Sequence, residues 1–510
     1  MMRSENVIKN SIWSTINTVI TILIGFISRT IFIYILNSEY LGIDGLFSNI
    51  LSLLSLSELG FGSAVTFNLY KPLREKDNKK IAAIMNFYKW VYRMVALFIL
   101  VVGLILVPFL QYIIKNTTFD IGYIRVIYVL FLIKTAITYL YSYNFTLATA
   151  DQRGYINGYI TMVNNIVTPV AKIAALAITK SFLVYIVTEI VLTLIFNFIK
   201  TVNVRKQYPV LEDTKSSLDR KETRKILKDV QNIFLGKVST TVLTSTDNLI
   251  ISSFVSVVSV GFMTNYNTLI NYITTFISGS LYSAQASIGN AIASESKDYV
   301  YGILKKLTLI TLFISSFATT ALFCLSSDFI TIVWSKNEDM TLPVITVFVI
   351  MFNAFFQFIK SPLWITLTCA GFFEKDKYIS FIGMTMNIVV SLILVQYCGL
   401  VGVILGTIIS QTLQMLLKAK LLFNGYFNSG SGKYLLLMLE CFALFVAEEL
   451  LTYVICISLP VANMYLLFLC KMVICVIVPN LINYAIFHKT EEYDYFINLI
   501  LKVFKIVKRG

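Results

Sequence analysis

The sequence predicts an all-α polytopic membrane protein of about 14 transmembrane helices. They form two parallel-repeat six-helix lobes around a central cavity, plus two C-terminal helices. Three observations predict this: an apolar, charge-poor composition, fourteen apolar runs of spanning length, and an internal repeat at an offset near 220 residues.

Of the 510 residues, 57% are hydrophobic and 14% charged, against roughly 45–50% and about 25% in soluble domains. So few charges cannot cover a water-facing surface. Lys and Arg total 42 and Asp and Glu 28, a net charge of +14. In a membrane chain this excess belongs to cytoplasmic loops, so no nucleic-acid partner is expected. The seven cysteines all lie after residue 323, in or beside apolar runs and without a CxxC pair. They read as small apolar side chains, not as disulfides or metal ligands. With one histidine, His488, neither a zinc site nor a histidine-based catalytic triad is expected.

A helix needs about 20 apolar residues to cross a bilayer. The runs are 11–36, 44–70, 83–110, 121–147, 155–179, 181–203, 231–257, 261–292, 300–325, 341–369, 377–397, 400–424, 434–459 and 461–487. With the N-terminus in the cytoplasm, the inner segments hold 24 Lys and Arg. The outer segments hold three: Lys115, Lys180 and Lys336. This asymmetry puts both termini inside. Trp13, Trp90, Trp334 and Trp364 fall near span ends, as an aromatic belt requires.

In the first run Ser14, Thr18, Thr21, Gly25 and Ser28 share one helical face, with Arg29 beside it. Arg29 reads either as a cavity-facing phosphate ligand or as an arginine snorkelling outward or paired with Asp44 or Glu39. Lys134, Lys172 and Lys360 lie deep in the fourth, fifth and tenth runs. With Arg29 they would make a basic cavity for an anion, snorkelling or buried pairing being the alternative. Glu58 and Glu189 are candidate partners or proton sites. Thr240, Thr244 and Asp247 repeat the polar stripe in the seventh run. There Asp247 either holds a proton or cation, pairs with Arg29, or is structural. Thr21, Asn165, Asn265 and Asn267 suit sugar hydroxyls or helix–helix hydrogen bonds.

The repeat aligns Leu41–Asn49 with Val260–Thr268, placing Gly42 on Gly261. It also aligns Thr146–Ala150 with Thr366–Ala370, and Asn165–Val167 with Asn387–Val389. Its period covers six helices, an even number, so the two copies share one topology. The expected division is an N-lobe at 1–203, a basic cytoplasmic linker at 204–230 and a C-lobe at 231–424. Helices 13–14 occupy 425–489, and an amphipathic cytoplasmic tail occupies 490–510. Gly430–Lys433 imitates a phosphate-binding loop but lacks its first glycine and its final Ser or Thr.

The segment Arg29–Tyr70, with Glu39-Tyr40-Leu41-Gly42 and Leu54-Ser55-Leu56-Ser57-Glu58-Leu59-Gly60-Phe61-Gly62-Ser63-Ala64, resembles the polysaccharide repeat-unit flippases. These belong to the multidrug/oligosaccharidyl-lipid/polysaccharide exporter superfamily. Thr244–Ile251 with Val260-Gly261, and Leu147-Ala148 with Asp151-Gln152-Arg153, are similar to further stretches of that family. The resemblance implies a non-enzymatic flippase in a bacterial cytoplasmic membrane. Its substrate would be an undecaprenyl-pyrophosphate-linked oligosaccharide for capsule, exopolysaccharide or O-antigen-type glycan, moved from inner to outer leaflet by alternating access. It implies a polysaccharide polymerase and glycosyltransferases as partners, and a phosphate-facing role for Arg29. No cofactor is expected beyond a coupling proton or sodium ion, with Asp247, Glu58 and Asp44 as the candidate carriers or charge partners. The rival readings are an ion-coupled multidrug exporter of the same fold and a membrane polysaccharide polymerase.

Overall fold

The computed structural model describes residues 2–58, 61–115, 117–151, 153–335 and 339–497. Most of the proposed C-terminal tail, from residue 498 on, lies outside them. Each of the fourteen apolar runs falls on helix. The first unit of the chain is built from α1 (Met2–Ile35), α2 (Ser38–Leu54), α3 (Phe61–Glu75), α4 (Asn78–Leu106), α5 (Ile121–Ala150), α6 (Gly158–Thr179), α7 (Phe182–Gln207) and α8 (Arg220–Phe254). Then follow α9 (Val257–Ser294), α10 (Lys297–Phe329), α11 (Val344–Ile359), α12 (Ser361–Cys369), α13 (Phe373–Leu422), α14 (Gly432–Ile457) and α15 (Met464–Phe487).

Local chemistry sets the boundaries. Asn37, Asp77, Asp120, Ser296 and Asn463 each cap a helix by accepting from backbone N–H groups of the first turn. Asp219 and Glu222 form a reciprocal capping box at the start of α8. The second run is crossed by two helices, α2 and α3, separated by a tight 3-10 turn at Ser55–Glu58. The eleventh and twelfth runs make one long helix, broken at Gly399, whose φ of 55° suits glycine.

Eight helical stretches among the described residues are long and apolar enough to cross a membrane. One of them, Glu374–Phe427, holds both the eleventh and twelfth runs. Of the others, α8 opens on a charged segment, and α14 carries Glu440, Glu448 and Glu449 in an otherwise apolar run. The chain is an all-α polytopic membrane protein.

The helices pack as two compact units, Met1–Gly261 and Phe262–Gly510. In the first, α6 lies between α1 and α7, and α5 between α4 and α7, while α8 packs on α2 and α3. The segment expected as a linker is partly helical here: α8 begins at Arg220. Its preceding turn is tied to α4, because Asn86 donates to the Asp213 and Ser216 carbonyls at 2.8 and 2.9 Å. Lys80 of α4 also pairs with Glu222. In the second unit α10 is central, packing on α11, α14 and α15. An aromatic cluster holds it, with Phe355 stacked on Phe445 at 3.9 Å and Phe313 edge-on to Phe487 at 5.1 Å. Trp334 is fully buried against Phe329, so it is a core residue and not part of an interfacial belt.

The two glycines aligned by the repeat meet. A Cβ on Gly42 would run into the Val257 carbonyl oxygen, and one on Gly261 into the Ser38 carbonyl oxygen. Each helix start thus needs a residue without a side chain where the other backbone approaches.

Candidate functional site: a basic cluster in the first unit

Lys134 on α5 and Lys172 on α6 converge on Glu189 of α7. Lys134 Nζ donates to Glu189 Oε1 at 3.3 Å and Lys172 Nζ to Oε2 at 2.6 Å, so each carboxylate oxygen takes one ammonium. The three side chains remain 22%, 15% and 24% exposed, so the group is reachable. Aromatic faces support both lysines: Lys134 lies 4.4 Å from the Phe131 ring centroid and Lys172 4.2 Å from that of Tyr185. Asp44 on α2 lies within electrostatic reach of Lys134, Lys172, Glu189 and Arg29. The cluster therefore sets three cations against two carboxylates, a net positive site among membrane-spanning helices.

A polar pair extends it. Asn165 Nδ2 on α6 donates to Thr21 Oγ1 on α1 at 3.1 Å. By span order α1 and α6 run the same way through the bilayer. Arg29 lies eight residues beyond Thr21, and Lys172 seven beyond Asn165. At 1.5 Å per residue both stand roughly 11 Å further along, on a level with each other. One stripe thus begins at Thr21–Asn165 and ends in the basic cluster.

The other predicted residues lie elsewhere. Glu39 is buried and takes the Thr118 N–H at 2.8 Å and the Thr118 hydroxyl at 2.5 Å, with Thr117 as a further donor. Glu58, in the turn between α2 and α3, accepts from the Tyr92 hydroxyl, which itself receives a bond from Tyr88 at 2.6 Å. Asp247 is half-buried on α8, beside buried Ser245 and Thr246; the side chains of Thr240 and Thr244 fall outside those described. Asn265 is buried on α9, donating to the Met340 sulfur at 3.9 Å, and Asn267 is half-buried nearby. Lys360 belongs to the second unit, where its Nζ donates to Gln411 Oε1 at 2.6 Å.

Three features escaped the sequence reading. Lys418 joins Lys360 on the Trp364 indole, at 4.5 and 5.4 Å from the ring centroid, and pairs with Asp376 at 2.7 Å. The signal was present, since Thr407, Gln411, Gln414 and Lys418 recur at helical spacing in α13. Cys324, Cys456 and Cys475, from three helices, place their sulfurs within 4.8 Å of one another. Glu448 and Glu449 are fully buried on α14.

No family model and no curated protein matches the chain. Solved structures do. A lipid II flippase MurJ in an inward closed conformation aligns with a TM-score of 0.66 at 14% identity, covering 94% of this chain and 98% of that one. An inward-facing multidrug-resistance MATE transporter of the MOP superfamily aligns at 0.59 and 14%, covering 81% and 96%. A mutant of the Vibrio cholerae MATE transporter VcmN aligns at 0.54 and 12%, covering 84% and 99%. The chain is similar to these proteins in fold.

Proposed function

We propose that this protein is an alternating-access flippase. It moves a polyprenyl-pyrophosphate-linked oligosaccharide from the inner to the outer leaflet of a bacterial cytoplasmic membrane, with both its termini inside. The observation that carries the reading is the meeting of Lys134 and Lys172 on Glu189, with Asp44 within electrostatic reach of both lysines and of Arg29. An anionic headgroup entering this stripe competes with Glu189 for two ammonium groups and gains a planar guanidinium suited to phosphate oxygens. The Thr21–Asn165 pair, further along, offers hydroxyl and amide partners for a sugar. The likeness in fold to the structure of a lipid II flippase supports a lipid-linked substrate. No covalent bond changes, so the work is transport. A coupling proton or sodium ion resets the empty carrier, with Asp44, Glu58 and Asp247 as acidic candidates in the first unit. Glycosyltransferases that build the unit and a polymerase that consumes it are the expected partners.

A strain lacking the protein, and lacking any redundant flippase, tests this. It should trap unpolymerised lipid-linked units in the inner leaflet. Wild type should release them, and the Lys134→Ala, Lys172→Ala double variant should not. Normal surface glycan with no trapped intermediate would overturn the proposal. Resistance to cationic drugs on overexpression would favour the multidrug-exporter reading instead.

A further inference from the structure

The buried seam of α14 runs Tyr434, Met438, Cys441 and Phe445, then Glu448, Glu449, Thr452 and Cys456. The four-and-three spacing marks one packing stripe, and its middle is acidic. Both glutamates have 0% exposure, and none of their four carboxylate oxygens has a hydrogen-bond partner. Among the described residues neither has an ion-pair partner. The helix α10, which packs on α14, buries hydroxyl groups among its apolar residues: Ser315, Ser316, Thr319 and Thr320 are all at 0% exposure. Ser316 is the side chain in reach of Glu448, and it also receives Asn483 Nδ2 of α15 at 3.4 Å. Two further buried oxygens there lack partners: Asn483 Oδ1, from a residue 3% exposed, and Thr452 Oγ1, from one at 0%.

An isolated carboxylate anion in such a place is prohibitively costly. The group must be neutralised by a bound proton or by a cation that the spare oxygens coordinate. Several charged side chains on the packed helices have partners of their own, and Lys297 and Lys306 of α10 lie over the Tyr426 and Tyr495 rings at 5.8 and 5.7 Å. Lys471 pairs with Asp328 at 2.6 Å, Lys305 with Glu492 at 2.9 Å, and Lys418 with Asp376 at 2.7 Å. His488 bonds the Tyr484 carbonyl at 3.0 Å, Lys360 bonds Gln411, and the sulfurs of Cys324, Cys456 and Cys475 face one another.

We propose that Glu448, with Ser316, Thr452 and Asn483 around it and Glu449 beside it, is a monovalent-cation exchange site where the two C-terminal helices α14 and α15 pack on α10. The carboxyl binds a proton in one state; when that proton leaves, an incoming proton or sodium ion restores neutrality, one for one. As a coupling site of the carrier, additional to the acidic candidates of the first unit, this inference rests on the transport reading; as a cation site it stands on the α10–α14–α15 geometry.

The test needs no transported substrate. Infrared difference spectra of the purified full-length protein are recorded across a pH titration, with and without sodium. Wild type should show a carboxylic-acid carbonyl band that disappears on alkalinisation, lost in Glu448→Gln. A band removed by sodium at constant pH identifies sodium as the exchanging ion; a band indifferent to sodium identifies the proton. Ser316→Ala should shift the band without removing it, which keeps the test decisive if Glu448→Gln folds poorly. An acid band absent from wild type at every pH, or unchanged in Glu448→Gln and unshifted in Ser316→Ala, overturns the proposal. Failure of lipid flipping in cells with the band intact would count against the transport reading alone.

Discussion

The consequential residue is Glu189, because it holds two lysines at once. Glu189→Gln leaves Lys134 and Lys172 half-buried with a neutral acceptor. Losing hydrogen bonds to charged groups costs about 1.5–3 kcal/mol, so thermal unfolding of the purified variant should begin at lower temperature. The two lysines share one acceptor, so Lys134→Met and Lys172→Met should be non-additive, with an interaction energy of about 0.5–3 kcal/mol. Simple addition of the two effects would mean that Glu189 does not couple them. Asp213 offers a pH handle outside the membrane. Its carboxylate is held below the ordinary range, first by the Ser216 hydroxyl at 2.5 Å and then by the backbone N–H groups of Lys215 and Ser216. A lowered value in the folded state contributes stability above the ordinary carboxylate value of about 3.9, lost as pH falls through the folded value. A spin label at Ser217→Cys should be immobile near neutral pH and gain mobility only in acid beyond that point. In Asn86→Ala, which cuts the tie to α4, it should be mobile throughout.

Between elements, the sharpest constraint is the crossing at Gly42 and Gly261. A methyl group at either position meets backbone carbonyl, which cannot swing away like a side chain. Gly42→Ala or Gly261→Ala should cost about 1–3 kcal/mol, in the range of overpacked cores. It should reduce folded yield in a detergent-stability assay; wild-type behaviour in both would place the approach of these helices elsewhere. The repeat alignment paired these glycines from sequence, but nothing in one dimension showed that they touch. The same limit applied to α14. Glu448 and Glu449 stand in plain view in the sequence, but helical spacing alone cannot say that their face is the buried one.

At the scale of the molecule, fourteen runs and the lysine asymmetry specify a topology that a native side chain reports. Cys398 is exposed beside the break at Gly399, in a segment expected outside. A membrane-impermeant maleimide added to intact cells should label it without any substitution. Cysteines introduced at Lys115 and Lys180 should label the same way, and one at Lys215 only after permeabilisation. Labelling of Lys215→Cys from outside would invert the topology.

The all-α membrane class and the place of nearly every helix were legible in the sequence, because bilayer thickness and the cost of unpaired backbone groups act on each segment separately. So were the division between the runs 377–397 and 400–424 and the basic residues of the first unit, since an ionisable group in an apolar run is conspicuous wherever the chain later takes it. Which charges share a partner was decided only by the tertiary structure. Lys134 and Lys172 are 38 residues apart yet meet on Glu189, while Lys360, chosen by the same rule, joins Lys418 and Trp364 in the other unit. Pairing depends on which helix faces pack together, and that is settled by side-chain fit between segments far apart in sequence.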